Sequence, residues 1–213
     1  LKTAKLLLEI SPFFVLIPLV VLLFRYQHLT PPLKWIGGYI LLCTASGFVS
    51  YILWRTSTNN LWVFPIQGMI ELPLLYLALY KEINNTETKL PVFLLAILFV
   101  LLSIINSTFY RPYFSYNPYL QAMGSLLIIG YCIYYFVNLL REMKVKKLSA
   151  IPMFWIISSI LFYYASSLFL YSMRDAIVDK SSSFNLWIWV SHALFTAIHY
   201  ILISIGIWRS KTT

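Results

Sequence analysis

Seven stretches of this chain are apolar for long enough to cross a bilayer, and little chain lies between them. They run at about 6–24, 35–54, 61–80, 91–109, 119–140, 152–172 and 186–208. Each is near the ~20 residues that a helix needs to span a hydrocarbon core. Lipid leaves no partner for the open edge of a sheet, and no apolar–polar alternation runs through these stretches, so they read as helices. The expected fold is all-α: a polytopic membrane protein in which residues 1–213 form a single seven-transmembrane-helix bundle. Pro12, Pro18, Pro65 and Pro73 fall inside or near the starts of spans. Each frees a backbone carbonyl, which neighbouring groups must satisfy.

Composition narrows the class. Charged residues make up 11% of the chain and hydrophobic ones 60%, against roughly 25% charged in ordinary soluble domains. Aromatics at 18% suit interfacial anchors. The net charge of +9 has no soluble domain to carry it to a nucleic acid, so no nucleic-acid partner is expected, and basic loops at a membrane surface account for it. Cys43 and Cys132 fall in apolar helices and read as small buried thiols. No signal-peptide cleavage pattern follows the first apolar stretch, which is expected to be retained.

Lysine and arginine set a direction. The N-terminus and the second, fourth and sixth loops hold Lys2, Lys5, Arg55, Arg111, Arg174 and Lys180; the other side holds Arg25, Lys34, Lys81, Lys89, Arg141, Lys144, Lys146, Lys147, Arg209 and Lys211. The richer side is expected to be cytoplasmic, which puts the N-terminus outside and the C-terminus inside. Arg141, Lys144, Lys146 and Lys147 are placed to meet anionic lipid headgroups, or a cytoplasmic signalling partner.

Glu71 lies near the middle of the third apolar stretch, with no lysine or arginine in that stretch. A carboxylate there costs several kcal/mol unless it is protonated, paired or wetted. Gln67 lies one turn before it on the same face. In the last helix His192, Thr196 and His199 recur at i, i+4 and i+7, a second polar face at overlapping depth. The two stripes are expected to meet in the bundle interior and to give Glu71 a partner. Gln121, Tyr164, Tyr163, Ser125, Glu9 and Asn106 extend the polar set toward the outer half. The ligand pocket is therefore expected from Gln67, Glu71, Gln121, Tyr164, His192, Thr196 and His199. The competing reading is a set of polar contacts that lock helices together, with serines and threonines bonded to their own backbone.

Several chemistries are set aside. His192 and His199 are ~10.5 Å apart along the axis, unlike the i,i+4 histidines of zinc-binding helices, so no metal is assigned. Every lysine lies in a loop or terminus, which leaves none to form a Schiff base inside the bundle, and no cofactor is expected. The aromatic run Phe109–Tyr119 reads as an outer aromatic belt or as a lid over the pocket.

The stretch Asn59–Glu71, and the Ile205-Gly206-Ile207-Trp208 ending, resemble those of a group of small seven-helix proteins from Bacteroidetes-type bacteria. The resemblance implies a bacterial inner (plasma) membrane and brings no residue roles with it. Three functions compete. One is a receptor-like module that binds a small apolar or amphipathic ligand. The second is a lipid-active hydrolase with Glu71, His192 and His199 as acid and base. The third is a small transporter, for which no repeat between halves is found.

Overall fold

Proline marks where most of the rods begin. The computed structural model describes residues 2–82, 89–110, 118–142, 147–172 and 182–210, and there is no strand among them. The described α-helices are α1 (Lys2–Ile10), α2 (Leu16–Arg25), α3 (Pro31–Arg55), α4 (Val63–Glu82), α5 (Lys89–Ile105), α6 (Pro118–Glu142), α7 (Pro152–Ser172) and α8 (Ser182–Trp208). Pro31, Pro65, Pro91, Pro118 and Pro152 all lie in the first turn of α3 to α7. A missing N–H costs little there, because first-turn amides have no acceptor within the helix.

The first rod is α1 and α2 joined by a 3₁₀ turn, Ser11–Val15. Pro12 cannot donate to the Leu8 carbonyl, and Ser11 Oγ donates to that oxygen at 2.9 Å instead. At the end of α3 the chain reverses through Ser57, whose φ is 54°. The Thr58 amide bonds the Leu53 carbonyl at 2.8 Å and the Ser57 amide bonds the Trp54 carbonyl at 3.1 Å. Those two bonds are the Schellman closure, with serine where glycine is usual.

Among the described residues six helices are long and apolar enough to cross a membrane: Leu6–His28, Pro31–Arg55, Val63–Glu82, Tyr119–Arg141, Pro152–Leu170 and Phe184–Trp208. The stretch expected at 91–109 differs. Its apolar run is Phe93–Ile105, only ~20 Å of α-helix, and the backbone then widens into a π turn over Asn106–Tyr110. This helix is also peripheral. The first rod, α3, α4, α6, α7 and α8 follow one another around a ring that closes where α8 returns to α1 and α2, while α5 packs chiefly on α4. The outside of the bundle is apolar, with Leu23, Phe24, Phe48 and Phe169 strongly exposed. An apolar surface of that extent is what lipid contact requires and what water penalises.

Inside, the two ends differ. Toward the end holding Arg25 and Trp208 the interior is solid, with Ile36, Ile40, Leu72, Ile156, Ile160 and Ile203 almost fully buried. α8 lies so close to α7 there that a Cβ added at Gly206 would sit 2.5 Å from Ile156 Cγ1 and 2.9 Å from the Pro152 carbonyl oxygen. Polar ties also fasten this end. Arg25 Nη2 donates to the Trp208 carbonyl at 2.7 Å, and its guanidinium lies over the Trp208 ring. Ser210 Oγ donates to the His28 carbonyl at 2.7 Å. Arg209 and Trp155 both donate to the Ser149 carbonyl. The opposite end is hollow. Residues 111–117 of the aromatic run, Lys144 and Lys146 of the basic loop, and Arg174 and Lys180 lie outside the described residues.

Candidate ligand-binding cavity

On α3, Tyr39, Cys43, Ser46 and Ser50 recur at helical spacing and turn toward the hollow end. They line a cavity of about 610 Å³. α4 contributes Gln67 and Glu71, α6 contributes Gln121, α7 contributes Tyr163 and Tyr164, and α8 contributes His192, Thr196 and His199. All seven residues singled out from the sequence therefore line one cavity. α4 packs on α3, α5 and α6, and α8 packs on α7 and the first rod, so their polar stripes face each other across it.

Glu71 is buried, and its direct partners differ from the expected ones. The Tyr164 hydroxyl of α7 donates to Oε1. Gln67 Nε2 donates to Oε2 at 3.4 Å and lies 3.7 Å from Cys43 Sγ. Ser46 Oγ reaches Gln67 Oε1 at 2.9 Å. The chain of contacts ties α3, α4 and α7 together around the carboxyl, and both carboxyl oxygens face a donor, as a carboxylate requires. Pro73 lacks the amide hydrogen that would bond the Met69 carbonyl, so the α4 backbone has one tie fewer beside Glu71.

The imidazoles have partners of their own. His199 is fully buried. Its Nδ1 lies 3.1 Å from the Ser159 carbonyl oxygen, which can only accept, so Nδ1 carries the hydrogen. In the neutral ring Nε2 then accepts from the Tyr39 hydroxyl at 2.9 Å. His192 Nδ1 lies 3.4 Å from Ser167 Oγ. The Tyr163 ring stacks on His199 at 4.8 Å and lies 5.6 Å from His192. Among the described residues no three His, Cys, Asp or Glu side chains converge as a metal set.

Thr196 lines the cavity, but its hydroxyl bonds the His192 carbonyl at 2.9 Å. Gln121 reaches both the cavity and a smaller hollow of about 40 Å³ between α4, α5 and α6. Glu71 and Tyr164 also touch both spaces, so the carboxyl stands in the wall between them. Toward the mouth the lining becomes aromatic, with Tyr51, Trp54, Phe64 and Trp189. Asn60 Nδ2 donates to Ser50 Oγ at 2.9 Å beside them, and Glu9 lies on the rim.

No family model, curated protein or solved structure matches this chain. Its site is therefore read from its own geometry. Tyr39, Ser46 and the Ser159 carbonyl were not singled out from the sequence. The signal for the first two was present, because Tyr39, Cys43, Ser46 and Ser50 have the same i, i+4, i+7 spacing as the stripe on α8. The carbonyl of Ser159 carries no sequence signal.

Proposed function

We propose that this chain is a receptor-like module of a bacterial inner membrane, which takes a small amphipathic ligand into the cavity from the outer side. The observation that carries the reading is the contrast between the two ends of the bundle. One end holds a hollow of about 610 Å³ with buried polar groups and aromatic walls, within the roughly 300–1,000 Å³ usual for small-molecule sites. The other end is packed solid and tied by Arg25, Arg209 and Ser210.

In this reading all seven rods cross the membrane, the fourth with the help of the π turn at Asn106–Tyr110. The hollow end faces outward, because it is the end poorer in lysine and arginine. The basic loop around Arg141 and Lys147 lies at the inner surface, against anionic headgroups or a signalling partner. The hydrolase reading is weaker, because Glu71 bonds Tyr164 and Gln67 while both ring nitrogens of His199 are engaged by Tyr39 and Ser159. The tied end offers no route through the bundle, which weighs against transport.

The test uses Gly47, which lines the cavity and where an added Cβ meets nothing within 4 Å. Gly47→Phe should fill the hollow while the helices stay in place. The protein in lipid nanodiscs is screened by thermal unfolding against small water-soluble amphiphiles carrying one aromatic ring and positive, negative or no charge. At least one should raise the midpoint by about 5 °C or more at a hundred times its Kd, and Gly47→Phe should not respond. No response, or an equal response in both proteins, overturns the reading. Hydrolysis of a lipid that Glu71→Gln abolishes would transfer the site to the enzyme reading.

A further inference from the structure

The charge on the cavity wall runs opposite to that of the chain. The protein carries sixteen lysines and arginines against seven aspartates and glutamates. Yet among the described residues that line the cavity there are two carboxylates, Glu71 and Glu9, and no lysine or arginine. Glu71 sits at the deep end and Glu9 at the rim, so a positive charge would find an acceptor-only group at both ends of its path. Between them stand the rings of Tyr51, Trp54, Phe64, Tyr163 and Trp189. Aromatic faces attract a cation through their quadrupole, and do so more strongly away from water. An anion would meet the same rings and carboxylates with no counter-charge, and like charges in a desolvated site cost several kcal/mol.

We infer that the ligand is an organic cation, an amine or quaternary ammonium with an apolar body. Its head is held near Glu71 and its body lies among the aromatic rings toward the mouth. The inference rests on the binding reading above and names the class of molecule that the cavity takes. The Tyr164 hydroxyl and the Gln67 amide, which donate to the two carboxyl oxygens, hold Glu71 in place as the ammonium's acceptor. His199 has both ring nitrogens engaged by Tyr39 and Ser159, so it offers the ligand no free ring nitrogen.

Three probes with one skeleton test this: tryptamine, tryptophol and indole-3-acetate, titrated by calorimetry into the wild-type protein in nanodiscs of uncharged lipid. The expected order is tryptamine tightest, about tenfold or more ahead of tryptophol, with indole-3-acetate weakest. Glu71→Gln should weaken tryptamine about tenfold and tryptophol by less than about threefold. Glu9→Gln should weaken tryptamine by about two- to threefold, an effect that fades at high salt. If Glu71→Gln does not fold, the order of the three probes on the wild type still decides. Tryptophol or indole-3-acetate binding as tightly as tryptamine, in a manner blocked by Gly47→Phe, overturns the cation and leaves the binding reading standing. Absence of binding by all three overturns the cation proposal, while the wider amphiphile screen judges the cavity itself.

Discussion

Tyr164 shows how one hydroxyl can decide the fate of a buried carboxyl. It is the α7 residue that donates to Glu71, and without it Oε1 loses that donor at a buried position. Tyr164→Phe should lower stability by about 0.6–2 kcal/mol, the range of hydrogen bonds between helices in lipid. The loss should shrink when Glu71→Gln is already present, a coupling that unfolding of the two single variants and the double variant in one detergent would measure. Thr196→Val is the contrast. Its hydroxyl serves its own helix, so the change should stay within about 0.5 kcal/mol. Equal losses for both variants would mean that the Glu71 network holds nothing together. The depth of Glu71 was legible as a count of residues from the helix end. Its partner was not, because a periodicity gives the face of one helix and says nothing of which neighbour stands against it. The stripe of His192, Thr196 and His199 was expected to partner it and Tyr164 was read only as part of the wider polar set, whereas the packing brings the α7 hydroxyl to the carboxyl.

Glycine sets the distance between α7 and α8. At Gly206 a Cβ would collide with Ile156 and with the Pro152 carbonyl, and a backbone atom cannot swing aside as a side chain can. Gly206→Ala should therefore cost about 1–3 kcal/mol by forcing the helices apart. Gly130→Ala, where nothing lies within 4 Å, should be neutral or raise stability by up to about 1 kcal/mol through helix propensity. Thermal unfolding of the two variants side by side checks this, and a similar fall for both would remove the close approach as the cause. Element positions were readable from apolar length for six rods. α5 was overdrawn because Asn106, Ser107 and Thr108 were counted into a hydrophobic stretch that ends at Ile105. Thr108 Oγ1 turns back to the Ile104 carbonyl at 2.9 Å, where the backbone is already π-helical. The 3₁₀ turn in the first rod was half legible: Pro12 announced a freed carbonyl, but not that Ser11 would bond it.

Alternation of the rods places the turn after α3 and the turn before α7 at opposite ends of the molecule, and the proposed orientation puts the first outside. Thr58→Cys should react with a membrane-impermeant thiol reagent in intact cells, and Ser149→Cys only after the cells are opened. Both variants carry Cys43→Ser as well, because Cys43 lines the cavity, while Cys132 is buried. The reverse pattern would invert the molecule and close the outward route to the cavity. That the bundle is hollow at one end was only partly visible beforehand, as an outward skew of polar residues, since the solidity of the other half depends on how isoleucines of α3, α7 and α8 interdigitate. The ties among Arg25, Trp208, Arg209, Ser149, His28 and Ser210 have a mechanical corollary. They pin α8 to the first rod and to the turn before α7 like the pivot of a pair of tongs, so a splaying of these rods should grow with distance from that clasp and be greatest toward the mouth, where Trp189 stands.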